Sequence, residues 1–178
     1  MFAFFLILLA IVSRLAPHPA WLNFTAVGGG LLYFGARRPL LQAVLPVALL
    51  AGTDYYLTAF VYRYPFQVQS YLLTWAWYAA VILLGAVMLK SGASAGRIVG
   101  ASALSATSFF AISNFAVWAS SGMYPHSAAG LATCYAAALP FYRNDFVSTV
   151  VVAGIAFATP QLAGWLIHFH AENAVKTA

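Results

Sequence analysis

Long apolar runs broken by short polar punctuation fill this chain, and a run of about 20 residues is what carries an α-helix across a bilayer. Six such segments are predicted, some of them short. The first, from about Phe2 to Ala16, stops at Pro17-His18-Pro19, where two prolines remove backbone donors. Asn23-Phe24-Thr25 opens the second, which runs to about Ala36 through Gly28-Gly29-Gly30. Glycines there let another backbone approach closely, and packing is favoured over ligand contact. After Arg37-Arg38-Pro39, the third helix spans about Leu40 to Tyr62, with Pro46 as a kink and Asp54 two-thirds of the way along. The fourth, about Val68 to Leu89, carries Tyr71, Trp75, Trp77 and Tyr78, aromatics suited to an interfacial belt. The fifth, about Gly96 to Ala119, begins Gly96-x-x-x-Gly100, a small-residue face for helix packing. Ser127 to Phe141 is apolar but short, which predicts a half-helix or re-entrant piece. The sixth helix is placed at about Asp145 to His168.

Composition agrees with the pattern. Of 178 residues 63% are hydrophobic and 6% charged, far below the roughly 25% of soluble domains. Mean hydropathy is +0.87. The expected architecture is an all-α membrane protein, a bundle of six transmembrane helices plus a short half-helix, with residues 1–170 as one domain and a polar tail at 171–178. The opening FAFFLILLAIVS reads as a retained first helix, since no Lys or Arg precedes it and no A-x-A-like site follows.

The net charge of +5 comes from basic residues scattered singly or in pairs between apolar segments, so it reads as a topology signal rather than a nucleic-acid surface. With six spans, Arg37, Arg38, Lys90, Arg97 and Lys176 fall on one side and Arg14, Arg63 and Arg143 on the other. This predicts both termini in the cytoplasm. The remaining polar groups, Asn23, Asp54, Tyr124, His126, Asn144 and Asp145 among them, then gather toward the outer side, as a pocket open to the outside would require.

Asp54 is the only acid inside a predicted span, which is a functional hypothesis by default; its structural alternative is an ion pair with Arg14 or Arg63. Phe110, Asn114 and Trp118 recur at i, i+4, i+8 and share a helix face, where an amide between aromatics could orient a planar ligand or bridge two helices. Tyr124, Tyr135, Arg143 and Asn144 extend this group. Cys134, the one cysteine, excludes an internal disulfide; among Ala and Leu it reads first as a buried hydrophobe, with His18 and His126 as conceivable co-ligands for a metal. No HExxH, GxSxG or P-loop is present, so neither classical hydrolase chemistry nor ATP hydrolysis is expected, and no cofactor is implied.

The motifs Arg14-Leu15-x-Pro17-His18-Pro19 with Asn23-Phe24-Thr25, Phe34-Gly35-Ala36, Asp54, Phe110-x-x-x-Asn114-Phe115-x-x-Trp118, Tyr124-Pro125 and Gly130-Leu131-x-x-Cys134-Tyr135-x-x-x-x-Pro140-Phe141-x-x-Asn144 resemble those of DUF6580, a family of small bacterial membrane proteins of unknown function. Ala26 stands where that pattern would have proline. More distantly, six short helices with polar residues gathered outside resemble the S-components of energy-coupling factor transporters, vitamin binders that work with a transmembrane subunit and two ATPases. The alanine-x-x-x-alanine signature common on their first helix is missing. The resemblance implies a substrate-binding transport component of the bacterial inner membrane, not an enzyme. Its partners would be the lipid bilayer, a small-molecule ligand and a coupling subunit. Its ligand would be held by Asn23, Asp54, Asn114, Trp118, Tyr124, Tyr135, Arg143 and Asn144. Two alternatives stay open: a small structural subunit of a larger membrane complex, and an intramembrane cofactor protein using Cys134 and histidines.

Overall fold

The computed structural model of the chain describes residues 1–16 and 23–177. Among these residues it is all helical, with six α-helices: α1 (Phe2–Leu15), α2 (Val27–Arg37), α3 (Val44–Tyr56), α4 (Leu72–Leu89), α5 (Ala95–Ser120) and α6 (Ala128–Thr177). A 3₁₀ turn, Leu40–Ala43, leads into α3 and a π-turn, Leu57–Val61, extends it, giving one apolar rod of 22 residues. Pro46 lies in the first turn of α3, where its missing N–H leaves no helical bond unmade.

Four helical segments are long and apolar enough to cross a membrane: Leu40–Val61, Leu72–Leu89, Ala95–Ser120 and Ala128–Gly164. Only 28–33% of each apolar stretch is buried inside the bundle. The rest faces outward, which costs free energy in water and none in lipid. The chain is a membrane protein.

The centre of the bundle is its shortest helix. Every residue of α2 from Val27 to Ala36 is buried, as expected of a helix apolar all round. It packs against α1, α4 and α6 and touches α5. Glycine makes this approach possible. A Cβ at Gly35 would overlap the carbonyl oxygen of Ile82, and one at Gly85 that of Leu32, so α2 and α4 meet backbone to backbone. Gly28 and Gly29 press on Thr149, Val152 and Ala153 of α6, and Gly30 lies against Leu6 of α1. The packing expected of the triple glycine is present. Around it Phe34, Phe157, Ile7, Leu31 and Leu32 form the fully buried core.

Three expectations change. The half-helix at Ser127 to Phe141 and the sixth helix at Asp145 are one continuous helix, α6, with Pro140 and Pro160 inside it. Proline removes one intrahelical bond and crowds the preceding turn, but it does not end a helix held by neighbours on its flanks, and α5 packs along α6 here. Trp77 and Tyr78 do not form an interfacial belt: both are buried, and Trp75 is half-buried. Exposed aromatics gather instead around the π-turn, at Tyr55, Tyr56, Phe60, Tyr62 and Tyr64. Within the bundle Gly96-x-x-x-Gly100 is not a contact: nothing lies within 4 Å of a Cβ at Gly96, and only the tip of Met88 is near Gly100.

Candidate functional site

Asp54 is 3% exposed and forms an ion pair with Arg14, at the last turn of α1. Its second carboxylate oxygen accepts from Trp75 Nε1 at 3.0 Å and from the Tyr78 hydroxyl at 3.4 Å. Arg14 Nη1 donates in turn to the Tyr78 oxygen at 3.0 Å. Helices α1, α3 and α4 thus meet on one carboxylate. A buried charge needs partners and hydrogen bonds on its remaining lone pairs, and Asp54 has both. Arg63, the other partner considered for it, is exposed, with φ 58 in the loop after α3.

The size of α2 explains the space beside this cluster. Eleven residues rise only about 16 Å, about half the hydrocarbon thickness of a bilayer. Beyond its N-terminus no central helix continues among the described residues. Ser13 Oγ accepts from the Ala26 amide at 3.0 Å and donates to the Ala10 carbonyl at 2.8 Å, tying the start of α2 to α1. Asn23, with φ 60, precedes it.

Two cavities of about 250 Å³ each lie at this level. The first is set between α5 and α6 and is lined by Phe109, Phe110, Asn114, Tyr124, Cys134 and Tyr142, among others. The second is lined by Arg14, Thr25, Asp54, Tyr71, Trp77 and Tyr78, among others. Asn23, Phe109 and Asp145 belong to both linings and form the partition between them. Small-molecule sites occupy roughly 300–1,000 Å³, so the pair taken as one divided cleft is of that size.

Of the eight ligand residues expected from sequence, Asn23, Asp54, Asn114 and Tyr124 line this cleft. The other four do not line it. Trp118 donates its indole N–H to the Pro125 carbonyl at 2.9 Å and pins the turn between α5 and α6. The Tyr135 hydroxyl donates to the Ala111 carbonyl at 2.6 Å and staples α6 to α5. Arg143 is exposed, and Asn144 is half-buried and has a partner of its own. Cys134 is buried at the cleft wall and donates to the Asn114 carbonyl at 3.4 Å. His126 packs edge-on against Trp118, with ring centroids 5.5 Å apart, and His18 lies outside the described residues. Among the described residues no three of His, Cys, Asp and Glu come together.

Sequence reasoning gathered Asp145 toward the outer pocket without counting it among the ligand residues, and it left out Phe109; these two join the two cavities. Asp145 was placed at the start of a helix; α6 running unbroken through Pro140 puts it in mid-helix instead. Phe109 sits one position from the Phe110, Asn114, Trp118 series, on the face that meets Trp77 at 4.5 Å between centroids.

Two comparisons with known proteins find nothing: no curated protein and no solved structure matches the chain. A family model, described as a family of unknown function (DUF6580), matches residues 1–171. The chain belongs to that family.

Proposed function

For this member of DUF6580 we propose a membrane-embedded binding protein for a small molecule, working as a transport component in the manner of an S-component. The observation that carries the reading is the divided cleft at the open end of α2, with a partnered carboxylate on one side and an amide among aromatics on the other. Sites of this kind are mostly apolar with a few placed polar groups, and bundle interiors are where membrane proteins put them. The topology belongs to the same proposal. Arg37 and Arg38 at the end of α2, Lys90 after α4 and Arg97 at the start of α5 stand at helix ends that this topology puts on one side, with Arg14 and Asp54 toward the other. Basic loops favour the cytoplasm, so the cleft opens outward, in an inner membrane, with both termini inside.

The exposed Gly96 and Gly100 favour a second reading, an accessory subunit whose small-residue face on α5 docks on a larger complex. One preparation separates the two. Purified alone in mild detergent, a binding protein is monodisperse and releases a small molecule on denaturation, detected by mass spectrometry. Asn114→Leu should keep the wild-type melting temperature and lose most of that molecule. A ligand-free protein that aggregates unless another membrane protein is co-expressed would replace the first reading with the second.

A further inference from the structure

The sign of the cleft is opposite to that of the chain. The protein carries +5 overall, yet among the described residues the one acid or base lining the first cavity is Asp145. The second adds Arg14 and Asp54, which are committed to each other. Taken together the described linings carry a formal charge of one negative. The Asp145 carboxylate has no hydrogen-bond or ion-pair partner among the described residues, while its own backbone carbonyl accepts from Ser148 at 3.0 Å. A carboxylate at membrane depth without a counter-charge is costly, and it is retained where something else supplies that charge.

The rest of the first cavity points the same way. Several of its polar groups spend a hydrogen on helix carbonyls: Ser113 on Phe109 at 2.6 Å, Asn114 on Phe110 at 2.8 Å, and Cys134 on Asn114 at 3.4 Å. Ser113 and Cys134 are left with lone pairs to offer, and Asn114 with its Oδ1 and its second N–H. Asn23 and Tyr124, able to donate or accept, leave the sign to Asp145. The walls are rings: Phe109, Phe110, Phe141 and Tyr142 line the same space, and a ring face attracts a cation.

We infer that the cleft takes an organic cation, an ammonium-bearing molecule with an apolar or aromatic body, whose charge rests against Asp145 and whose body lies among the rings of α5 and α6. This rests on the small-molecule reading above and assigns its ligand a charge class.

Three probes of one size but different charge test it: 2-phenylethylammonium, 2-phenylethanol and 3-phenylpropanoate. Each is measured at pH 7 by equilibrium dialysis against lipid nanodiscs with and without the protein. The expected result is saturable binding of the ammonium alone, weakened about tenfold or more in Asp145→Asn and kept within a few-fold in Asp145→Glu. The Glu variant also guards against reading a folding defect as a binding defect. If Asp145→Asn does not survive purification, selectivity among the probes in the wild type decides alone. Equal binding of the alcohol, preference for the carboxylate, or ammonium binding unchanged in Asp145→Asn would each overturn the inference while leaving a small-molecule site in place. Failure of all three to bind saturably at millimolar concentration would also overturn it, and the ligand-release experiment on the purified protein then judges the binding reading on its own.

Discussion

Asp54 has three side-chain partners, Arg14, Trp75 and Tyr78, and this makes its removal unequal to the removal of the pair. Taking away one member of a buried ion pair leaves the other charge uncompensated, at about 3–5 kcal/mol, whereas replacing both with apolar residues is often close to neutral. Asp54→Leu and Arg14→Leu should therefore each lower the melting temperature in detergent strongly, and the double variant should melt above either single one. Additive losses would mean the two charges do not compensate each other. The importance of Asp54 was legible from its position as the one acid in an apolar run. The choice of Arg14 over Arg63 was not, because it depends on where α1 ends relative to α3. Trp75 and Tyr78 were misread for a related reason. Aromatics near a helix end are expected at the lipid interface, and only the tertiary position of a buried carboxylate turns them inward.

Helices carry a different lesson. The apolar runs located five of the six elements to within a few residues, yet a boundary was misplaced: the shortness of the apolar run 127–141 suggested a separate half-helix, and α6 runs on unbroken through it. That single error hid Asp145, since a residue at a helix start lies at the membrane edge and a residue in mid-helix lies inside. Glycine spacing was equally ambiguous. The triple glycine of α2 packs as expected, Gly96 and Gly100 do not, and Gly35 with Gly85, which no glycine spacing marks, bring two backbones together. Gly35→Ala and Gly85→Ala should each destabilise the bundle by about 1–3 kcal/mol or more, since the obstructing atoms are backbone and no rotamer can yield. Gly96→Leu with Gly100→Leu should change stability by no more than about 0.5 kcal/mol, the usual scale for surface positions. Thermal unfolding of the variants in one detergent checks both, and an α5 double variant that unfolds early would mean that this face is packed after all.

Class was the most legible property of the whole molecule, because a chain with 6% charged residues cannot cover itself for water. The cleft was the least legible, since it arises from the shortness of a central helix and from residues more than a hundred positions apart. The proposed orientation rests on the basic residues at the helix ends. With Cys134 replaced by alanine, a cysteine introduced at position 90 should resist an impermeant reagent applied outside the cell. Labelling there would invert the molecule and close the cleft to the outside. The length of α6 adds a mechanical point. Its 50 residues extend about 75 Å, against the 40–45 Å of a bilayer with its headgroups, and even a steep tilt of about 40° leaves it too long to be contained. The helix that holds Asp145 in the cleft wall must therefore emerge into water. It is wall and handle at once, a single length of chain connecting the cleft to the aqueous phase.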